Sequence, residues 1–386
     1  MAIVINGSGT LSGLAVGGLP DGTVDSDTIA TGTIVDADVA NVAASKLTGA
    51  LPAISAASLT NVPKDVTVGG RKNILKNGGF DVWQRGTSFS HTSGKNFICD
   101  RWWVNPSSVG GTQTRQSAGL DGFNYALRMQ RTSGQSGTGL VYLNTEMESA
   151  DSMQFRGKKV TLSFYARKGA NFSQSSSQLT SNLATGTGTD QTLQTGFTGG
   201  ANVISQNNTL TTSWQRFSHT TSSVLASTVN QIAVQFTHSP AGTAGAADYY
   251  EITGVQLEVG DTATDFEHRS YGEELALCHR YYQRTARYTT FAGFSNGGSN
   301  TQFGVPLTVP LRNTPTVTIE NASGTNSWSA RHNGGENGNA STCNVEKWEA
   351  DCTTVHLQMG SFGSNSDMYV NNLYSGNRSI QMDSEL

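Results

Sequence analysis

Aromatic rings among polar, uncharged neighbours are the residues near the C-terminus that could bind a ligand. Sugars present a rim of hydroxyl groups and an apolar face, so proteins meet them with an exposed ring flanked by amide, carboxylate or hydroxyl side chains. Trp328 has such neighbours in the sequence: Asn326, Ser327, Ser329, Arg331 and His332. We predict that this region binds glycan; packing between subunits is the alternative role for Trp328. The candidate residues are Trp328, Arg331, His332, Trp348 and Tyr374.

Hydrolysis of a glycan would need two carboxylates on facing walls of a cleft. Acidic residues are scarce, with 29 Asp and Glu among 386 residues. Their main groups are Glu146 with Glu148, Glu251 with Glu258, and Asp261 with Asp265 and Glu267. Glu251 and Glu258 would point to opposite faces of one strand, and the last group is expected in a solvated turn. Since these groups do not form an evident pair of facing carboxylates, the sequence predicts that the protein is not an enzyme.

The four cysteines, Cys99, Cys278, Cys343 and Cys352, have no Cys-x-x-Cys spacing. They are too few for a disulfide framework or a zinc site. Cys343 and Cys352 could meet across a hairpin, where two packed thiols are favoured over a disulfide.

Composition excludes two classes of partner. The net charge of −4 and the lack of any Lys/Arg cluster longer than a pair exclude nucleic acid. No stretch approaches twenty apolar residues, so no membrane insertion is expected. The chain still holds 15 Phe, 11 Tyr and 6 Trp. It is therefore expected to fold, as two or three domains at this length.

The segment before Phe80 contains no aromatic residue. Two stretches within it echo each other, 22–30 and 32–40, and short units with few apolar side chains follow. Such units cannot bury their apolar side alone, and they need neighbours. If the neighbours are copies of the same chain, the product is an intertwined fibre; the alternative is a flexible leader.

Alternating apolar residues predict β-strands from Ile74 to about Phe266. Val160–Ala166 and Gln231–Phe236 each place every second residue on one apolar face. Tyr249–Val259 also alternates, but its phase slips at Gly254, as at a β-bulge. Ser173–Gly200 is interpreted as a long polar loop. Many strands with almost no helical periodicity indicate a sandwich or jelly roll.

One helix is predicted after this region. Ser270 and Glu273 form a capping box, in which the serine oxygen accepts from the Glu273 amide and Glu273 reaches back. Leu275, Cys278 and Tyr282 then share one stripe. The pattern predicts a helix over roughly 272–286, followed by a last all-β segment.

Several segments resemble tail fibre proteins of tailed bacteriophages, including marine and cyanobacterial phages. The start, Ile5–Gly22, and the unit Ser45-Lys-Leu-Thr-Gly49 resemble the beginning and the shaft repeats of such fibres. Asn77-Gly-Gly-Phe-Asp-Val-Trp-Gln-Arg-Gly86 and Asp100-Arg-Trp102 are similar to the opening of a sandwich domain that is frequent in phage fibres. Gly254–Gly260, Asp265-Phe-Glu267 and Glu274–Tyr282 look like the end and exit helix of that domain. The resemblance covers residues 1 to about 285.

The resemblance implies an all-β homotrimer with four parts. These are a virion-attachment segment and intertwined shaft at 1–70, a jelly-roll sandwich at 71–270, a connecting helix at 271–287 and a small β-sandwich tip at 288–386. The implied partners are other tail proteins of the virion, through the N-terminus, and host surface polysaccharide or lipopolysaccharide. Such a fibre is assembled in the host cytoplasm and acts at the host cell exterior. The alternatives are a purely structural fibre or decoration protein and, less favoured, a polysaccharide depolymerase.

The same sandwich also resembles carbohydrate-binding jelly rolls with an Asn-Gly-x-Phe-acid motif on the first strand. In those modules the acid helps to bind a structural calcium ion, together with an aspartate on the last strand. Asp81 matches the acid, but the last strand here reads Ile252-Thr-Gly-Val255, without that aspartate. Asp81 is therefore a weak calcium candidate, with capping of a turn as its alternative role. No other cofactor or metal is expected.

Overall fold

The computed structural model describes residues 4–5, 11–12, 71–286, 289–295, 301–320, 328–332, 335–340, 343–347, 353–359, 368–372 and 379–386. The chain forms two compact units, Met1–Val66 and Thr67–Leu386. In the first unit, strand β1 (Val4–Ile5) pairs antiparallel with β2 (Leu11–Ser12). The rest of the predicted shaft lies outside the described residues, so the intertwined fibre stays a prediction.

The second unit begins with the strands and short helices of a sandwich. They are β3 (Ser88–His91), β4 (Asn96–Phe97), β5 (Trp103–Pro106), β6 (Gly111–Leu120), β7 (Phe123–Arg131), β8 (Val141–Glu146), helix α1 (Ser149–Ser152) with a 3₁₀ turn (Met153–Phe155), β9 (Val160–Lys168), a 3₁₀ turn (Ser175–Ser177), β10 (Gln178–Gly186), β11 (Ala201–Thr209), β12 (Gln215–Thr220), β13 (Gln231–His238) and β14 (Tyr249–Val259).

Two six-stranded antiparallel sheets pack face to face. The first sheet has the order β11-β10-β13-β8-β5-β4, and the second has the order β12-β9-β14-β7-β6-β3. Their inner faces form one apolar core, in which Leu162, Phe164 and Phe236 are fully buried. The strands predicted from alternation at 160–166 and 231–236 are confirmed. The all-β sandwich is therefore as the sequence predicts.

The bulge predicted in β14 is also present. Pairing of β14 with β9 shifts register between Thr253 and Gln256. Gly254 has a φ of +61°, a backbone conformation that glycine adopts without strain. A Cβ atom at Gly254 would lie 2.7 Å from the Phe123 ring and 3.0 Å from the Tyr165 ring. Glycine is thus required there both by the backbone and by the rings packed against it.

The interpretation of 173–200 as one loop is wrong, because this segment contains β10. Leu179 and Leu183 are buried in the core, and β10 pairs with β11 on one side and β13 on the other. Polar residues occupy the alternate positions of this strand and are largely covered as well, as at Asn182. A strand is recognised in a sequence by its high content of apolar and β-branched residues. β10 has small polar residues on its outer face, so it was interpreted as a loop.

The predicted helix begins as expected but is shorter. Helix α2 spans Tyr271–His279, and the Ser270 side chain accepts a hydrogen bond from the Glu273 amide at 3.3 Å. The prediction that it continues to 286 or 287 is wrong, because Tyr282–Arg284 forms strand β15. Tyr281 and Tyr282 are both buried, and β15 pairs with a C-terminal strand. Pairing with a distant segment overrides the helical stripe.

The remaining described strands form two further sheets. They are β16 (Thr290–Ser295), β17 (Thr301–Pro306), β18 (Thr316–Glu320), β19 (Trp328–His332), β20 (Gly335–Ala340), β21 (Cys343–Lys347), β22 (Thr354–Met359), β23 (Met368–Asn372) and β24 (Ser379–Asp383). The orders are β15-β24-β18 and β20-β19-β23-β16-β17-β22-β21. A second, smaller apolar cluster includes Phe303, Leu357 and Ile380. The all-β character predicted for the tip is confirmed in these strands.

Two of the four cysteines lie within the described side chains, and Cys99 and Cys278 are free thiols in buried positions. Cys352 lies outside the described residues, so the pairing of Cys343 with Cys352 stays a prediction. No described helix has the length and apolar character needed to cross a membrane.

Candidate functional site

A pocket of about 540 Å³ lies at one end of the sandwich, where the first residues of the domain meet the exit segment and α2. We call it the end pocket. Its walls come from the segment before β3, from β6 and β7, and from the start of α2. The lining residues are Asp81, Trp83, Arg115, Gly122, Phe123, Asn124, Tyr125, His268, Arg269, Tyr271 and Glu274.

The two ends of the sandwich domain are joined by hydrogen bonds just behind this pocket. The Asn73 amide donates to Glu267 Oε2 at 2.7 Å, and the Asn73 side chain donates to the Val255 carbonyl at 3.1 Å. Gly78 lies so close to β14 that a Cβ there would be 2.1 Å from the Val255 oxygen. The segments that carry the fibre resemblance, almost two hundred residues apart, therefore meet in space.

Arg269 and Glu274 fix α2 onto the start of the domain. Arg269 Nη1 donates to the Leu75 carbonyl at 3.0 Å and to Glu274 Oε2 at 3.1 Å, and its Nη2 donates to the Asn73 carbonyl. Glu274 Oε1 in turn accepts from the Asn77 amide at 2.5 Å. The carboxylate of Glu274 is thus engaged by the scaffold, and its role is to hold one wall of the pocket.

The residue types of the Asn-Gly-x-Phe segment are explained by its contacts where the two ends of the domain meet. Asn77 is fully buried, and its side-chain Nδ2 donates to the carbonyls of Val82 and Asp100, each at 2.9 Å. Its Oδ1 accepts from the Val82 amide at 2.9 Å. Asn77 itself adopts a φ of +56°, which asparagine tolerates better than most residues. This turn places Asp81 and Trp83 in the pocket wall.

Asp81 is a partly buried carboxyl in the pocket. Burial raises its pKa above the ordinary value, and the nearby charge of Glu274 raises it further, while a hydrogen bond from Asn124 acts in the opposite direction. Among the described residues, no group of three or more His, Cys, Asp or Glu side chains could hold a metal ion. The calcium role of Asp81 stays a prediction.

Four aromatic residues, Trp83, Phe123, Tyr125 and Tyr271, are among those that line the pocket. Tyr271 is 59% exposed at the first position of α2. The Trp83 ring is buried, and its Nε1 donates to the Phe80 carbonyl at 2.6 Å. The Arg115 guanidinium lies 4.3 Å from the centre of the half-buried Tyr125 ring. A ring open to solvent thus lines the same pocket as an amide, a carboxyl and a guanidinium.

Four of the acidic residues considered for hydrolysis are bonded to the scaffold. Glu146 accepts from the Leu193 amide at 2.5 Å, and Glu258 accepts from the Thr264 hydroxyl at 2.7 Å. Glu148 is held by Arg280, and Glu251 by Arg128 and Arg167. Their arrangement supports structural roles rather than a facing acid and base.

The binding residues predicted in the tip are placed only in part. Trp328, Arg331 and His332 lie in β19, which pairs with β20 and β23; their side chains lie outside the described ones. Trp348 and Tyr374 lie outside the described residues altogether. The five residues therefore stay predictions.

The tryptophans of the sandwich are less exposed than a sugar platform requires. Trp83, Trp102 and Trp103 are all buried. Trp214 is half-buried on the outer face, where its Nε1 donates to the Ala118 carbonyl at 2.8 Å.

Sequence reasoning missed Tyr271, Arg115 and Tyr125. The only signal for Tyr271 was an aromatic residue directly after an N-cap serine, where a helix side chain faces outward.

No protein-family model matches the chain, and no curated protein matches its sequence. Among solved structures, the chain is similar to a carbohydrate-binding module described as CBM4, with 18% identity over 48% of this chain and 99% of that one, at a TM-score of 0.28. The xylan-binding domain CBM22-2 from Paenibacillus barcinonensis is 11% identical over 49% of this chain and 99% of that one, at a TM-score of 0.27. The enzymatically active domain of tailspike protein 4 from bacteriophage CBA120 is 10% identical over 49% of this chain and 21% of that one, at a TM-score of 0.29. At these values the likeness says nothing about a ligand, and the site is judged by its own geometry.

Proposed function

We propose that this chain is a fibre protein of a tailed bacteriophage that binds glycan on the host cell surface through the end pocket. The observation that carries the binding part is the exposed Tyr271 ring beside Asp81, Asn124 and Arg115 in a pocket of about 540 Å³. This volume lies within the usual range of ligand sites, about 300–1,000 Å³. The fibre part rests on the sequence resemblance.

The pocket suits a sugar because it combines flat apolar surface with groups that form hydrogen bonds. Aromatic rings bury the apolar face of a ligand at a small cost in side-chain entropy. Asn124 and Asp81 supply donors and acceptors for hydroxyl groups. The hydrogen bonds of Arg269 and Asn77 keep the wall rigid, so little ordering would be needed on binding.

A fibre would compensate for weak binding at each pocket by repetition. Three chains in a homotrimer, and several fibres on a virion, raise the effective concentration of sites without any new contact. In this proposal the N-terminal segment joins other tail proteins, and the chain acts outside the host cell. Sedimentation of the full chain should then give the mass of three chains, whereas a stable monomer would contradict the assembly.

The binding proposal is tested by substituting Tyr271. We expect Tyr271→Ala to lower adsorption of the labelled fibre to host cells about 10-fold or more, the loss of roughly 1.4 kcal/mol. The matched control is Leu140→Ala, which removes another exposed apolar side chain (43% exposed) away from the pocket. Equal adsorption of both variants and the original chain would overturn the role of the pocket and favour a purely structural fibre.

No hydrolysis is part of this proposal. Glu274, the other carboxylate of the pocket, is bonded to Arg269 and to the Asn77 amide, whereas glycoside hydrolysis needs one acid and one available carboxylate across the bond. Release of reducing ends from host polysaccharide by the full chain would show this part of the proposal to be wrong.

A further inference from the structure

We infer that the glycan bound at the end pocket is an acidic polysaccharide, and that its chain continues from the pocket across the outer face of the second sheet. This inference rests on the proposed function and adds the class of ligand. It is carried by a row of arginines, each stacked on an aromatic ring, which we call the arginine face. The arginines are Arg128, Arg167 and Arg216.

Each of the three guanidinium groups lies over a ring. The distance from the guanidinium carbon to the ring centre is 4.0 Å for Arg128 over Tyr249, 4.7 Å for Arg167 over Trp214 and 5.8 Å for Arg216 over Tyr165. The arginine side chains are 25%, 28% and 28% exposed, respectively. Stacking orients a guanidinium while leaving part of its N–H edge open to a ligand.

Positive charge exceeds negative charge in the centre of this face. Arg128 and Arg167 lie on either side of Glu251 in the sheet register. Arg128 donates to Glu251 Oε1 at 2.6 Å and Arg167 to Oε2 at 2.5 Å. Two guanidinium groups thus share one fully buried carboxylate, and one positive charge remains at the surface.

The third arginine has an acidic partner that is open to solvent. Arg216 lies 3.8 Å from Asp265, whose side chain is fully exposed. Such an exposed pair contributes little and is easily replaced by a ligand anion. In a chain with a net charge of −4, three arginines on one face form a distinct site for anions.

The arginine face is continuous with the end pocket. Phe123 lines the pocket, and its ring centre lies 5.4 Å from that of Tyr165. The Arg216 guanidinium lies over the Tyr165 ring, and Arg167 lies two residues after Tyr165 on the same face of β9. A chain of sugars leaving the pocket would meet Phe123 first and the stacked arginines next.

Sugars that bear carboxylates fit this row of rings and arginines better than neutral sugars or nucleic acid. Guanidinium groups bind carboxylates through two parallel hydrogen bonds, and the rings between them offer stacking surface for sugar rings. Nucleic acid would need a long basic track for its continuous phosphates, and three arginines do not form one.

The test compares one polymer with and without its charge. We expect the full chain to bind polygalacturonate, and to bind the fully methyl-esterified polymer about 10-fold or more weakly. The double variant Arg167→Gln with Arg216→Gln should lose most of the preference for polygalacturonate, and its binding should depend less on salt concentration. Arg128 is left in place because it keeps Glu251 paired. Lys158→Gln with Lys159→Gln is the matched control, because it removes the same charge from exposed positions elsewhere on the sandwich.

The outcomes separate the two proposals. If Tyr271→Ala weakens adsorption to cells but the arginine variant and esterification change nothing, the pocket binds glycan and the acidic class is wrong. If Tyr271→Ala changes nothing, the proposed function itself fails. If single-stranded DNA binds as tightly as polygalacturonate and depends on the same arginines, the face binds any polyanion and the inference is overturned.

Discussion

At the scale of single residues, the end pocket contains both residues that a sequence pattern can identify and residues that it cannot. Asp81 and Trp83 follow a recognisable turn, and that turn is built by Asn77 and Gly78 for reasons of hydrogen bonding and close approach. Arg115 and Tyr271 carry no comparable signal. They enter the pocket only because distant segments pair, so their role depends on tertiary structure.

Asp81 gives a prediction at this scale. Because its folded-state pKa lies above the ordinary 3.8, the ionised form is disfavoured by folding, and stability falls as the pH rises through the interval between the two values. Asp81→Asn removes this penalty. We therefore expect its melting temperature to equal or exceed that of the original chain at pH 7, measured by calorimetry. A lower melting temperature, reproduced in the original chain by a calcium chelator, would instead assign a calcium ion to Asp81.

At the scale of elements, local patterns predict strands well where one face is apolar and the other polar. Alternation therefore identifies β9 and β13, and the phase slip at Gly254 identifies the bulge in β14. β10 was missed because its outer side chains are polar and yet covered. The helix was extended too far because β15 owes its conformation to pairing with β24, which no local pattern records.

The end of α2 supports a prediction about acid stability. Arg280 donates twice to Glu148, at 2.7 and 2.8 Å. Burial acts to raise the pKa of Glu148, but the hydrogen bonds from Arg280 and Tyr281 outweigh it and lower the pKa to about 2. The resulting stability is present above the ordinary value of 4.5 and is lost as the pH falls towards 2.

We expect Glu148→Gln to lower the free energy of unfolding at pH 7 by about 2 kcal/mol, a figure reduced for the partial exposure of Arg280. Its difference from the original chain should shrink below pH 4 in urea titrations. Glu273→Gln is the control, since its pair with Arg71 is exposed on both sides and should contribute less than about 1 kcal/mol. Equal effects of the two variants would contradict the argument.

At the scale of the whole molecule, a buried group of charged side chains joins the C-terminal sheets to the sandwich. β24 pairs with β15 and β18, and the residues after it return to the sandwich. There the Glu385 carboxylate is almost fully buried between Arg101 and Arg85. The Arg101 guanidinium also lies 3.5 Å from the centre of the Tyr281 ring. No spacing in the sequence could link Arg101 to Glu385, since 284 residues separate them.

This junction yields the last prediction. Burial acts to raise the pKa of Glu385, yet the charges of Arg101 and Arg85 lower it below its ordinary value, so the ionised pair stabilises the fold at neutral pH. Removing one partner leaves a buried charge without compensation, at a cost of about 3–5 kcal/mol. We expect Glu385→Gln to show this loss and to separate the unfolding of the C-terminal sheets from that of the sandwich in calorimetry.

A double-mutant cycle distinguishes this coupling from general damage. Arg101→Met combined with Glu385→Gln should cost less than the two single changes added together, by about 1 kcal/mol or more, because the second change removes a partner that is already lost. Asp265→Asn is the matched control, since it removes an acidic side chain that is fully exposed and should leave a single unfolding transition. Additive effects in the cycle, with one transition throughout, would mean that the C-terminal sheets are held to the sandwich by apolar packing and backbone hydrogen bonds instead.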